Sequence, residues 1–397
     1  MNIGVIGLGK LGLPMLAAFV KKGFPAQGYD KDQALSENLR NRIINSKEPG
    51  VKDTAAIDAE WPQRFAYDLE SIYNFSNFLF LVLPAPANVE GLFDTENLSN
   101  TIKQLIVLDK KHSKPIDLII TTTINPGDSE CLLELVKDTR INLLYSPAFI
   151  SLGSVIDDLV NPSFTIIGSD VPFAADRLEW VYSKLQENKS SISHLSHLEA
   201  EIVKIAVNTY AATKISFANT IGSMVHTFTH GDMHKVKRTL ETISLDPRVN
   251  PSGFKFGGSF GGPCVVKDNK NLGYHLRRKG LSSHIPSAIE NVNNYIVEYW
   301  AKKLQNNIYS NICYVGLSYK PNTDCVEDSF IIDLHHKIKR LDKKYYFIDQ
   351  NVDQFPNIIK VIDNNLDNDS TLYVINHGND DLLGKLRQYA NVFELWA

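Results

Sequence analysis

The stretch Gly257-Gly258-Ser259-Phe260-Gly261-Gly262-Pro263-Cys264-Val265-Val266-Lys267-Asp268 brings the ingredients of covalent chemistry together. Four of its first six residues are glycine, so backbone can approach a ligand closely with no Cβ in the way. A single cysteine follows at once. Lys267 and Asp268 come three and four residues later, so a helix starting near Cys264 sets them over one face with it. A thiol at a helix N-terminus near a cation is the setting in which cysteine becomes a thiolate nucleophile. The plainer reading is a glycine-rich loop capped by a small buried hydrophobe. The remainder of the chain bears on that choice.

The first thirty residues point to a dinucleotide. Ile3 to Ile6 reads as a short apolar strand. Gly7-Leu8-Gly9-Lys10-Leu11-Gly12 follows and runs into an apolar helix, Leu13 to Val20. A second strand, Pro25 to Asp30, ends in an acid eighteen residues after Gly12. Strand, glycine turn, helix and acid in that order are the dinucleotide-binding fingerprint. The glycines permit a tight turn and close approach of the pyrophosphate, whose charge the helix N-terminus stabilises. Asp30 suits a ribose diol and repels a 2′-phosphate, which favours NAD; Lys31 softens that preference.

Strand and helix patterns then alternate. Phe78 to Leu83, ending at Pro84-Ala85-Pro86, Ile116 to Ile120, ending at Thr121-Thr122-Thr123, and Asn142 to Tyr145, ending at Ser146-Pro147, read as buried parallel strands. Ligands of open parallel sheets sit outside the carboxyl ends of strands, so these ends are site candidates, Thr123 foremost. A threonine there also serves as an ordinary helix cap. Glu199 to about Met224 reads as one long helix on which Lys204 and Asn208, four apart, share a face. An ammonium and a carboxamide so stacked could serve an oxyanion; a snorkelling lysine is the alternative. Pro286 to Lys303 reads as a further helix. Strands return at Ile312 to Leu317, Tyr345 to Asp349 and Thr371 to Ile375, a second and smaller α/β unit.

The whole is therefore expected to be α/β, with two Rossmann-like doubly wound parallel-sheet domains joined by a long central helix and a helical middle domain. The expected boundaries are 1–195, 196–303 and 304–397. At 397 residues, two or three domains fit. A hydrophobic content of 43% and charged content of 22% describe a soluble globular chain. The net charge of -4 speaks against nucleic acid. Cys131, Cys264, Cys313 and Cys325 lack metal-ligand spacing, and no metal is expected. No signal or membrane-spanning pattern is read, so a cytoplasmic address is expected.

Jointly the motifs resemble the UDP-glucose/GDP-mannose dehydrogenases, that is, the nucleotide-sugar 6-dehydrogenases, along the whole chain. The matching residues are Gly7 to Gly12 with Asp30, Glu48-Pro49-Gly50, Thr122-Thr123, and Glu201 through Lys204 to Asn208 with Asn219. Asp246-Pro247-Arg248, Phe260 to Cys264 with Lys267-Asp268, and Gly316 to Asp324 complete the set. The resemblance implies two successive NAD-dependent oxidations at the sugar C6, alcohol to aldehyde to carboxylate. It makes Cys264 the nucleophile, Lys204 and Asn208 the alkoxide stabilisers, and Asp268 and Thr123 the residues that place water or assist proton transfer. It assigns the cofactor to Gly7, Gly9, Lys10, Leu11, Gly12, Asp30, Lys31, Pro84, Thr123 and Lys267. Substrate contacts would come from Phe149, Ile150, Lys204, Asn208, Phe256, Gly257, Phe260, Gly261 and Lys320. Arg248 resembles an arginine reaching the substrate of a neighbouring subunit, which implies a homodimer. UDP-glucose is the favoured substrate; a UDP-N-acetylhexosamine or another hexose nucleotide is the alternative.

The chain departs from the pattern at several positions. Two glutamates usual in the stretch after Tyr145 are replaced by Ala148 and Leu152, and the second is the family's water-activating base. Ala85 replaces a threonine, Glu327 an arginine that contacts the cofactor, and Thr220 a glutamate. The nucleophile and alkoxide machinery are retained, while thioester hydrolysis loses its usual base. A slow second step, a two-electron enzyme or a nucleotide-sugar sensor therefore stand as alternatives.

Overall fold

Strands buried on both faces read as continuous apolar runs, and such runs build parallel sheets. In the computed structural model, which describes residues 1–339, 342–359, 368–388 and 391–396, the chain forms two units, Met1–Ile205 and Ala206–Ala397. The first holds β1 (Ile3–Ile6), β2 (Ala26–Tyr29), β3 (Phe78–Leu81), β4 (Ile116–Ile120), β5 (Ile141–Tyr145), β6 (Phe164–Gly168) and β7 (Ser191–Leu195). Their order is β2-β1-β3-β4-β5-β6-β7. All adjacent pairs are parallel except β5 and β6, which meet antiparallel at Tyr145 and Gly168.

Alternate side chains of β3 go to opposite faces. Phe78 and Phe80 join one core with Phe19 and Trp61, while Leu79 and Leu81 join the other with Tyr73 and Leu105. Each such buried side chain contributes on the order of 1.5–3 kcal/mol. The chain leaves β1 towards β2 on one side and returns to β3 on the other. That reversal opens a crevice outside the carboxyl ends of β1 and β3.

The second unit repeats the plan with β8 (Asn311–Val315), β9 (Lys344–Ile348), β10 (Ile358–Ile359), β11 (Thr371–Ile375) and β12 (Val392–Glu394). The order is β10-β9-β8-β11-β12, parallel throughout. Its crevice lies between the ends of β8 and β11. Two doubly wound sheets and a long helix are thus present as expected, the antiparallel step at β6 being an addition.

The long helix runs His197–Phe228, and the division between the units falls within it. A glycine inside a helix costs roughly 1 kcal/mol relative to alanine. Gly222 is kept because a Cβ there would lie 2.4 Å from the Phe256 ring, which packs onto the helix at that point. No helix among the described residues is long and apolar enough to cross a membrane.

Candidate functional site

The turn after β1 gives each glycine a separate task. Gly7 has a φ of +91°, the left-handed region that turns the chain at the strand end. Gly12 opens the helix Gly12–Lys21, and a Cβ there would lie 1.8 Å from Gly7 O, so helix and strand meet only because it is absent. A Cβ on Gly9 would have no described atom within 4 Å, which leaves open backbone facing the crevice. No acid stands in the first helical turn to oppose its positive end. Asp30 accepts from Leu8 N at 2.8 Å through Oδ2 and from Asp32 N at 3.0 Å through Oδ1. Each oxygen keeps a lone pair, and the residue is half-buried, so a diol can still be bound. These residues fit NAD. Leu11 is half-buried, and Lys10, Lys31 and Pro84 are exposed.

The loops after β4 and β5 are clamped by buried side chains of the long helix's first turns. Thr122 Oγ1 accepts from Leu83 N and donates to Leu83 O, both at 2.9 Å, which ties the ends of β3 and β4 together. Thr123 follows, half-buried. Beyond it, Gly127 N and Ser129 N donate to the two carboxylate oxygens of Glu201 at 2.6 and 2.8 Å. Burial raises the Glu201 carboxyl above its ordinary range, against the pull of those hydrogen bonds. One turn later, Lys204 is buried. Its Nζ donates to Ala148 O at 2.9 Å and lies 4.8 Å from the centre of the Phe149 ring. Phe149 in turn packs on Phe164, and Ile150 is half-buried against the core. Glu48 holds the far end of this loop by accepting from Gly153 N at 2.6 Å and Val155 N at 3.3 Å.

In the second unit the glycine-rich loop is strapped down on both sides of its turn. Buried Asn219 accepts from Gly257 N and donates to Gly258 O, each at 3.0 Å. Trp300 Nε1 donates to Gly257 O at 2.8 Å. Phe256 is fully buried among His226, Tyr299 and Trp300, and a Cβ on Gly257 would strike Trp396. Asn293 brackets Phe260, accepting from its N–H at 2.9 Å and donating to its carbonyl at 3.0 Å. The chain then reaches Cys264, exposed, as the N-cap of the helix Val265–Arg278. That puts the thiol on the positive end of a helix. Asp268 is buried, and Asn208 Nδ2 donates to its Oδ2 at 2.5 Å. Among the described residues no disulfide forms.

Lys267 pairs with Glu327 at 2.6 Å. Lys320 Nζ stands 5.7 Å from the centre of the Tyr319 ring, beside Gly262. Arg248 is exposed and forked onto Asp246 at 2.9 and 2.6 Å. The structure thus groups the expected residues into two sets. Gly7 to Gly12, Asp30, Thr123, Phe149, Ile150 and Lys204 belong to the first unit; Asn208, Phe256, Gly257, Phe260, Gly261, Cys264, Lys267, Asp268 and Lys320 belong to the second, as does Arg248. Sequence reasoning did not find the clamping role of Glu201 and Glu48, or the strap formed by Asn219.

Comparison with known proteins bears on both sets. Residues 1–186 match the NAD-binding domain of the UDP-glucose/GDP-mannose dehydrogenase family, and residues 198–295 match its central domain. The UDP-glucose 6-dehydrogenase of Rickettsia bellii is 25% identical over 355 residues, covering 87% of this chain and 80% of that one. The UDP-glucose 6-dehydrogenase AglM of Haloferax volcanii is 25% identical over 345 residues, 83% of this chain and 78% of the other. The fold is shared with a UDP-glucose dehydrogenase from Pyrobaculum islandicum, with a TM-score of 0.86 at 23% identity over 100% of this chain and 98% of that one. A UDP-D-ManNAc dehydrogenase from Pyrococcus horikoshii gives a TM-score of 0.78 at 21% identity, over 99% and 93%. With both domain matches in sequence order, and a glycine turn and acid built for NAD, the chain belongs to the UDP-glucose/GDP-mannose dehydrogenase family of NAD-dependent nucleotide-sugar dehydrogenases.

Proposed function

We propose that the chain oxidises a UDP-sugar at C6 from alcohol to carboxylate, with UDP-glucose to UDP-glucuronate as the favoured reaction. The observation that carries the reading is Cys264 at a helix N-cap, with buried Asp268 four residues on and bonded to Asn208. A protein needing only a two-electron alcohol oxidation has no use for a nucleophile so placed. NAD supplies the hydride acceptor for both oxidations. Lys204 and Asn208, one turn apart on the long helix, stabilise the C6 alkoxide as its proton leaves. The Cys264 thiolate forms a C–S bond to the aldehyde, giving a thiohemiacetal that becomes a thioester on oxidation. Water then cleaves that C–S bond, releasing the acid and regenerating the thiol, with Asp268 and Thr123 positioning the water. Asp30 and the turn from Gly7 to Gly12 hold the cofactor, with Lys10, Leu11, Lys31, Pro84 and Lys267 as further contacts. Lys320, Phe260 and Gly261 contact the substrate.

A second reading follows from the loop after β5. Ala148, Phe149, Ile150 and Leu152 pack against the core there, and the segment from Ser146 to Ser154 carries no carboxylate of its own, which favours slow thioester hydrolysis. Counting NADH per sugar consumed over a panel of UDP- and GDP-sugars separates the readings. About two NADH per UDP-glucose, with the C6 acid as product, is expected. About one NADH, or a single burst that leaves sugar on Cys264, supports the second reading. No NADH from any sugar overturns both.

The protein acts as a homodimer in this proposal. On the long helix Tyr210, Phe217 and Met224 recur every seven residues, followed by Phe228, and all four are exposed. A stripe at that spacing is the seam of a helix pair, and Arg248 reaches the partner's substrate. Arg248→Ala is then expected to raise KM more than it lowers kcat.

A further inference from the structure

The segment that follows β8 lies directly against the Cys264 loop. Gly262 N donates to Glu327 O at 2.9 Å. A Cβ on Gly261 would lie 1.9 Å from Asp328 O, and one on Gly262 would lie 2.6 Å from the Tyr319 ring, so the two segments touch backbone to backbone. Glu327 makes a second contact through its side chain, whose Oε1 lies 2.6 Å from Lys267 Nζ. One residue therefore grips the loop two positions before Cys264 and three positions after it. Cys264 is the N-cap of its helix, which makes Lys267 the third helical residue. A side chain at that position folds back over the N-cap, as the glutamate of a capping box does. A lysine there is set to lend its charge to the thiol, and here that charge is met by a carboxylate.

We propose that Glu327 is a positioning residue for Cys264: it fixes the loop on both sides of the thiol and, by pairing with Lys267, withholds a cation that would otherwise activate it. The role of Cys264 as nucleophile rests on the proposed function, but the reactivity of the thiol is measured without any substrate. Charged groups near the pair include Asp268 and Lys270 on the same helix, Asp328 beside Glu327, and Asp333 on the following helix, which faces Asp328. The Asp328 carboxyl is raised by burial and by Glu327, and lowered by Lys270 and Lys267. Around the pair, then, stand the carboxylates Asp268 and Asp328, with Asp333 beyond Asp328, and one further lysine, Lys270. Removing the Glu327 charge tips that balance towards the thiolate.

The test is the pH dependence of Cys264 alkylation by iodoacetamide, in which the thiolate sulfur bonds to carbon and iodide leaves. Peptide mass mapping follows Cys264 separately from Cys131, which is also exposed and serves as the internal control. In Glu327→Gln the midpoint for Cys264 is expected to move to lower pH by about half a unit, and the rate below the midpoint to rise about threefold. Cys131 should not change. The Lys267→Met/Glu327→Gln double variant should match Lys267→Met alone. Should Glu327→Gln not fold, Glu327→Asp, which shortens the reach to Lys267, should shift the midpoint in the same direction by less. A faster reaction at every pH with an unmoved midpoint would show a purely structural clasp and overturn the proposal. So would a midpoint that moves up, or a double variant that keeps the gain.

Discussion

The two sheets begin with the same turn and use it differently. In the first unit Gly7, at a φ of +91°, donates to Tyr29 O at 2.8 Å, and Leu8 N donates to the Asp30 carboxylate at 2.8 Å. In the second, Gly316, at a φ of +84°, donates to Ile348 O at 2.8 Å, and Leu317 N donates to the Asp349 carboxylate at 2.8 Å. Beyond this the two part. Asp30 is half-buried with lone pairs to spare, and the helix starts within the glycine turn at Gly12. Asp349 is buried and also accepts from Ser318 N, Ser318 Oγ, Asn351 N and Val352 N. The next helix waits until Phe330. The intervening segment instead carries Tyr319, Glu327 and Asp328 to the Cys264 loop. The acid of the first turn keeps capacity for a cofactor; the acid of the second is bonded by its own chain, and the segment that follows that turn packs on the loop carrying Cys264. A glycine and an acid at strand ends therefore define a geometry, and the acid's remaining hydrogen-bonding capacity decides whether that geometry binds a ligand.

The largest expected effect breaks the second turn. Asp349→Ala leaves five donors, Leu317 N, Ser318 N, Ser318 Oγ, Asn351 N and Val352 N, without their acceptor, and unfolding in urea should show a loss of about 3–5 kcal/mol, the scale of leaving several buried hydrogen-bonding groups unsatisfied. Burial raises the Asp349 carboxyl, but the hydrogen bonds from Ser318, Asn351 and Val352 outweigh it and hold the group below its ordinary range. Its contribution should therefore be complete above the ordinary carboxylate value of about 3.9 and fade as pH falls through the lower folded value. The gap in stability between wild type and Asp349→Ala should narrow in acid.

Gly316→Ala comes next. A Cβ there meets His377 O at 2.5 Å on a left-handed backbone, and a loss of about 2 kcal/mol is expected by the same urea measurement. Gly9→Ala should be nearly silent in stability, within about 0.5 kcal/mol, because its Cβ enters open space. Calorimetric titration should nonetheless find NAD bound about tenfold more weakly, or about 1.4 kcal/mol. A Gly9→Ala protein that binds NAD normally would show that the pyrophosphate does not approach this backbone.

The sequence made most of the buried strands readable, and the edge strand β2 through the acid that ends it, but left β6, β7, β10 and β12 unread. β1, β3, β4 and β11 are buried along their whole length and show as mainly apolar runs, with Asp117 interrupting β4 and Thr371 opening β11. β7, Ser191-Ile192-Ser193-His194-Leu195, is an exposed edge whose polar residues hide it, and β10 is two residues long. The antiparallel meeting of Tyr145 and Gly168 depends on pairing that no local pattern records. Among the candidate site residues, those with local signatures were legible: the glycine turn, Asp30, and Cys264 at the start of a helix. The clamps were not, because each joins distant chain. Glu201 grips Gly127, Glu48 grips Gly153 and Glu327 grips Lys267. Lys204 and Asn208 lie one turn apart on the helix as the spacing indicates, but the groups they bond, Ala148 O and Asp268, come from tertiary contacts.

The most direct test of the difference between the two turns is to measure NAD affinity and urea stability together for Asp30→Ala and Asp349→Ala. Asp30→Ala should bind NAD at least about tenfold more weakly, with a loss of stability of no more than about 1–2 kcal/mol, since two backbone donors rather than five donors lose their acceptor. Asp349→Ala should show the reverse, a large loss of stability with NAD affinity unchanged wherever the protein is folded. Normal NAD binding by Asp30→Ala, or an equal loss of NAD affinity in Asp349→Ala without loss of stability, would contradict the assignment of the first turn to the cofactor and the second to the fold.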